Sequence, residues 1–189
     1  VVFLPNYNVS LAESIIPAAD LSEQISTAGY EASGTSNMKF GLNGALTIGT
    51  LDGANVEMCE RIGAEHMFIF GLSAQQVEAR KQNQEFSAVP DIAASHRLSD
   101  VLQAIRSGVF SPDDPSRYTG LIDSLVDYDR FLVCADFDSY WNAQMRVEAH
   151  WHDSNEWWRS AVLNTARMGW FSSDRTIREY ATDIWKALE

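Results

Sequence analysis

Lysine is scarce in this sequence, and one of its three lysines, Lys39, follows a segment suited to receive an anion; the others are Lys81 and Lys186. Glu31-Ala32-Ser33-Gly34-Thr35-Ser36-Asn37 is a run of small or polar residues with a glycine in its middle, a loop by composition. Apolar residues resume at Phe40, Leu42 and Leu46, so the loop is predicted to open a helix at about Ser36 or Asn37. The first amides of a helix have no partner inside it, and the helix dipole places partial positive charge beside them. Thr35 and Ser36 add hydroxyl donors, and Lys39 stands about one turn in. A phosphate or carboxylate suits such a place. A capped helix with a solvated lysine suits the same residues. The spacing is not a Walker loop, because Lys39 is followed by Phe40-Gly41, and it is not a dinucleotide fingerprint.

Other chemistry-bearing residues carry less. His150 and His152 are two apart, so on a helix they point to different sides and cannot share a metal. His66 and His96 stand alone and read as surface or packing residues. Cys59 and Cys134 fit no metal spacing or disulfide framework, and no metal is expected. Trp157-Trp158 with Trp151 could stack on sugar or bases, but packing in a core or interface explains them better. Asp113-Asp114 among prolines and Asp52-Gly53 read as turns.

The elements around these residues follow from hydrophobic spacing. Val1 to Leu4 is a continuous apolar run, predicted as a strand covered on both faces. Val9 to Ile16 has helical spacing and stops before Pro17. Ala18 to Tyr30 is ambiguous. Ala45 to Thr50 is β-compatible, and Met67-Phe68-Ile69-Phe70 closed by Gly71 is the clearest strand. Strands separated by helical segments predict βαβ units, hence an α/β fold. Beyond Gly71, helices are predicted over 73–84, 99–106 and 118–128, and helical patterns dominate from Asp136. The last helix, capped by Ser172, Ser173 or Asp174, carries a stripe of Ile177, Tyr180, Ala181, Ile184, Trp185 and Leu188 that needs a partner surface.

The chain has 189 residues, 46% of them hydrophobic, and a formal charge of −12. That is enough apolar material for one ordinary core. The acidic balance argues against nucleic-acid or anionic-membrane surfaces, which need a basic stripe. No apolar run approaches the roughly 20 residues that span a bilayer. Two distant cysteines suit a reducing cytoplasm. The opening on Val1, within an apolar run, predicts that the sequence is a piece of a longer chain.

Recognition adds to this reading. Pro17 to Gly29 (PAADLSEQISTAG), Glu31 to Phe40 (EASGTSNMKF), Asn43 to Glu57 (NGALTIGTLDGANVE) and Phe171 to Ile177 (FSSDRTI) closely resemble the α-glucan (glycogen, starch, maltodextrin) phosphorylases, nearest the bacterial glycogen members. The resemblance covers essentially the whole chain and roughly the last quarter of such an enzyme. It implies the carboxyl-terminal part of the second Rossmann-like domain of a GT-B glycosyltransferase fold over residues 1–135. A helical tail, 136–189, would pack toward a missing amino-terminal lobe.

The resemblance also implies roles. Lys39 matches the lysine that holds pyridoxal 5'-phosphate as a Schiff base, and is the catalytic position. Thr35 and the backbone N–H of Ser36 match positions that grip the cofactor's phosphate. Tyr7 and Asn8 fall where residues lie against the cofactor. Glu31, with the main chain of Ala32, Ser33 and Gly34, resembles the segment that orients glucosyl hydroxyls and helps seat substrate phosphate. Some relatives carry Arg at the place of Asn8 and Gly at that of Ser36.

The implied reaction is retaining phosphorolysis of a terminal α-1,4-glucosidic bond of a glucan by inorganic phosphate, releasing α-glucose 1-phosphate. The cofactor would act through its phosphate, whose second pKa of about 6 suits proton transfer near neutrality. Two phosphates in contact repel, so cations must offset them. In the family those cations come from upstream sequence, which predicts that these 189 residues alone are inactive. Family likeness suggests a homodimer at full length. The rival readings are a nucleotide-sugar glucan synthase of the same architecture, with no cofactor lysine, and a non-catalytic carbohydrate-binding or interaction module using the Trp-rich tail.

Overall fold

The computed structural model describes residues 1–31 and 34–187. Three parallel strands, β1 (Leu21–Gln24), β2 (Leu46–Thr50) and β3 (Met67–Phe70), pair in the order β1-β2-β3. Leu21 lies opposite Leu46, and Ile48 opposite Phe68. Each crossover carries a helix: α2 (Ser36–Leu42) joins β1 to β2, and α3 (Ala54–Ile62) joins β2 to β3. The ambiguous stretch 18–30 thus holds a strand, and the expected βαβ units are present. Before the sheet, α1 (Val9–Ile15) ends where Pro17 follows. After it come α4 (Ala74–Gln82), α5 (Val89–Ala94), α6 (His96–Arg106), α7 (Thr119–Asp127), α8 (Val133–His152), α9 (Ser154–Arg167) and α10 (Ser173–Glu179).

All five residues of β2 are buried, as a central parallel strand requires. Alternation along β3 divides its side chains between two cores. Phe68 and Phe70 join Leu46 and Ile48 against Ala143 and Val147 of α8 and Trp157 and Ala161 of α9. Met67 and Ile69 face Met58 and Ile62 of α3, with Met168 beyond α9. A third cluster packs Leu98 and Leu102 of α6 and Ile122 of α7 on Cys134 at the start of α8. The expected boundary at residue 135 falls inside α8, whose later turns cover the sheet. Cys59 and Cys134 are free thiols, and burial pushes the Cys134 thiol up to about 12.

Two apolar segments stand outside these cores. Val1 to Leu4 forms no strand here: Val2 is 83% and Phe3 90% exposed, because no described element covers the two faces such a strand would bury. At the other end α10 begins after Ser172 as expected and continues into a π-turn at Tyr180–Ile184. Ile177, Tyr180, Ile184 and Trp185 of its apolar stripe are exposed, and Leu188 lies outside the described residues.

A buried hydroxyl ties the sheet to its covering helices. Ser160 Oγ of α9 lies 3.0 Å from both His66 Nδ1, just before β3, and His150 Nε2 of α8. One hydroxyl proton serves one ring nitrogen while the oxygen accepts from the other. Burial lowers the His66 pKa, and the positive charges of Arg167, Arg159 and His150 act in the same direction against Glu65. Between the lowered folded value and the unfolded value near 6.5, the unfolded chain binds more protons. Stability should therefore be full above pH about 6.5 and fall as the pH drops below it. Melting temperatures from pH 7.5 to 5.5 will show this slope, and His66→Gln will flatten it; an unchanged slope would refute the assignment.

Candidate functional site

Glu31 and the stretch from Gly34 to Lys39 sit beyond the carboxyl end of β1, where ligands bind in open α/β sheets. Their position is fixed from below by amide chemistry. Asn37, buried in the first turn of α2, donates from Nδ2 to Asn55 Oδ1 at 2.8 Å, and Asn55 Nδ2 donates to the Thr50 carbonyl at 3.0 Å. The end of β2 thereby holds the starts of both crossover helices. Thr50 Oγ1 also donates to the Ser26 carbonyl at 2.7 Å, fastening the chain that leaves β1.

Asp52-Gly53 makes the expected turn and does more. One carboxylate oxygen of Asp52 accepts from the Tyr30 and Glu31 amides at 3.2 and 2.8 Å. Gly53 has φ +50°, and a Cβ there would come within 3.0 Å of Glu31 Cγ and 3.3 Å of the Glu31 carbonyl oxygen. Only a residue without a side chain lets the loop lie so close in that backbone region. Lys81 of α4 places its ammonium 3.9 Å from the centre of the Tyr30 ring, a second cation at the loop's entrance.

The helix opens where expected. Thr35 is the N-cap of α2, yet its side chain makes no capping bond, and among the described residues no hydrogen bond engages its hydroxyl. Ser36 Oγ reaches Gln24 Oε1 at only 3.5 Å. Lys39 is exposed one turn further on, and among the described residues no hydrogen bond or ion pair engages its amine. Thr35, Ser36 and Lys39 thus share one short stretch of helix start, with Glu31 and Gly34 on the loop leading into it. Ala32 and Ser33 lie outside the described residues. Tyr7 and Asn8 stand apart: Tyr7 is exposed, and Asn8 caps α1 by accepting from the Leu11 amide at 3.1 Å.

The far end of α2 is clamped too. Asn164, fully buried on α9, donates to the Ala45 carbonyl at 3.0 Å, and the single Thr165 hydroxyl proton lies between the Ala161 carbonyl at 3.0 Å and the Gly41 carbonyl at 3.2 Å. Asn37, Asn55, Asp52 and Asn164 were not legible as site-positioning residues. The available signal was an acidic turn directly after an apolar segment, for Asp52; the asparagines stand in helices with many other polar residues, where their type alone does not mark them.

Such a site brings hydroxyls, the amides of a helix start and a primary amine to one place; Asn37 Oδ1 takes the Met38 amide at 2.9 Å, and the grouping suits an anionic ligand that also carries a group reactive toward amines. Comparison with known proteins identifies the family. The sequence pattern of the family described as carbohydrate phosphorylase matches residues 1–187. Glycogen phosphorylase of Pasteurella multocida (strain Pm70) is 54% identical over 186 residues, covering 98% of this chain and 23% of the relative. Glycogen phosphorylase of Synechocystis sp. is 53% identical over 185 residues, 98% of this chain and 22% of the relative. The brain form from Ovis aries is 51% identical and again matched over 22% of its own length. The chain therefore spans under a quarter of the length of these relatives, and with a match running from its first residue to residue 187, it belongs to the carbohydrate phosphorylase family.

Proposed function

We propose that this chain is the cofactor-holding segment of a glycogen phosphorylase that carries out retaining phosphorolysis of terminal α-1,4-glucosidic bonds. The observation that carries the reading is the open amine of Lys39, one helical turn from a cap residue whose hydroxyl is not used for capping. Residues of this kind fit pyridoxal 5'-phosphate: a primary amine for its aldehyde, with hydroxyl and amide donors for its phosphate. When bound, that cofactor supplies a phosphate able to pass protons near neutral pH.

The chain's own residues then have distinct tasks. Lys39 fixes the cofactor in place. The Thr35 hydroxyl and the Ser36 amide hold its phosphate, with Tyr7 and Asn8 lying against it. Glu31, set by the hydrogen bond its backbone N–H donates to the Asp52 carboxylate, orients glucosyl hydroxyls with Ala32, Ser33 and Gly34. On this reading residues 1–135 belong to the second Rossmann-like domain of a GT-B architecture. The tail from residue 136 turns the apolar stripe of its last helix toward an amino-terminal lobe. The full enzyme is a cytoplasmic homodimer acting on glucan and inorganic phosphate.

The reading is tested in two steps. Borohydride reduction of a full-length enzyme carrying this sequence, followed by peptide mass mapping, should place the cofactor on Lys39; label on another lysine refutes the assignment. The 189-residue chain with glucan, phosphate and cofactor should release no glucose 1-phosphate. Lys39 and Lys81 alone leave the repulsion between two phosphates poorly offset, and clear turnover would show that the remaining cations are not needed.

A further inference from the structure

The end of α8 and the start of α9 expose two indoles that the candidate site does not use. Trp157 is a core residue, 4% exposed and stacked on Phe68, with Trp151 edge-on to it at 4.8 Å between ring centres. Trp158, next in sequence, is 66% exposed, and Trp151 is 50% exposed. Trp158 stands between two adjoining hollows. One, of about 490 Å³, is bounded by Pro17, Asp20, Asn43, Gly44 and Val162. The other, of about 380 Å³, is bounded by Trp151, His152 and Ser154.

Both hollows combine an aromatic face with open polar atoms. Asn43 donates from Nδ2 to the Lys39 carbonyl, and among the described residues no hydrogen bond engages its Oδ1. Among the described residues, no hydrogen bond or ion pair engages the side chains of Asp20, His152 or Ser154. A charged macromolecule would need matching charges, and across both hollows Asp20 is the one carboxylate. A neutral polyol matches better. Each pyranose ring has an apolar C–H face for an indole and a rim of hydroxyls that both donate and accept. Two open hollows on either side of one indole suit an extended chain of such rings.

We propose that Trp158 and Trp151 form a docking surface for a run of α-linked glucose units, separate from the Lys39 site. Asp20 directly precedes β1 and Gly44 lies just before β2. The surface therefore opens at the amino ends of the strands, whereas the loop leading to Lys39 leaves their carboxyl ends. The choice of α-linked glucose rests on the phosphorylase reading; the preference for a neutral sugar rests on the lining residues.

Titration of the chain with maltohexaose, followed by tryptophan fluorescence and calorimetry, tests the proposal. Saturable binding is expected, weakened about tenfold by Trp158→Ala or Trp151→Ala, as loss of one stacking contact implies. Lys39→Ala should leave it unchanged. Trp158 is two-thirds exposed, so its replacement spares the core, whereas Trp151 also packs on Trp157; circular dichroism checks that both variants keep the fold. Absence of binding, binding indifferent to both tryptophan variants, or equal affinity for cellohexaose would each overturn the proposal. Cofactor mapping keeps the two readings apart. Label on Lys39 without tryptophan-dependent binding removes only the docking surface, and tryptophan-dependent binding without label on Lys39 removes only the phosphorylase reading.

Discussion

Lys39→Ala, placed in a full-length glycogen phosphorylase that carries this sequence, should lower the release of glucose 1-phosphate by about 10²–10⁴-fold, the range lost with a positioned proton-transfer group. The change removes the covalent hold on a group whose phosphate does that work. Folding should not confuse the result. Lys39 is exposed on α2, no described residue bonds its amine, and alanine is the better helix former. Compared without cofactor, parent and variant should melt within a few degrees of each other, because surface changes away from special contacts are nearly neutral; bound cofactor would raise the parent alone. Lys39→Arg separates charge from chemistry: it keeps the cation but offers no amine able to condense with an aldehyde. If arginine preserved full turnover, Lys39 would be acting only as a charge, and the proposed role would be wrong.

What the sequence made legible, and what it did not, divides along physical lines. The strands at 46–50 and 67–70 were readable because short runs of β-branched and apolar residues between turn signals suit strands, and that needs no knowledge of neighbours. The start of α2 was readable because loop composition gives way to helical spacing at one place. Val1 to Leu4 has the same apolar signal as β3 yet forms no strand, because composition states that a segment wants covering but not whether a cover is present. The histidines show the complementary limit. Spacing excluded His150 and His152 as a metal pair, but could not show that His150 and His66 meet at Ser160, a contact that spans 94 residues. At the candidate site the reactive residues were legible and their supports were not. Lys39, Thr35 and Ser36 declare their chemistry by type, whereas Asn55 matters only because Asn37 and the Thr50 carbonyl lie on either side of it. The tryptophans divide likewise: Trp157 and Trp158 are adjacent and identical in type, and only the packing of α9 buries one and exposes the other.

Gly49→Ala should unfold the chain at markedly lower urea and disturb the candidate site with it. Gly49 lies at the centre of the sheet, opposite Gln24 of β1 and Ile69 of β3. A Cβ there would be 2.7 Å from the Gln24 carbonyl oxygen and 2.7 Å from Asn55 Nδ2. Neither neighbour can step aside cheaply: the first is backbone in a paired strand, and the second is committed to the Thr50 carbonyl. Moving Asn55 would also strain its bond from Asn37 and so the first turn of α2, the turn that precedes Lys39. Overpacking of this kind costs about 3 kcal/mol, a large fraction of the 5–15 kcal/mol typical of a domain. The urea midpoint should fall with its slope unchanged. Gly120→Ala in α7 is the matched control. A Cβ there meets nothing within 4 Å, so alanine should be neutral or stabilise by up to about 1 kcal/mol through helix propensity. Equal midpoints for the two variants would mean that the close approach of β1, β2 and Asn55 does not govern stability. In a full-length enzyme, Gly49→Ala with normal labelling of Lys39 would mean that the amide chain beneath α2 does not set the lysine's position.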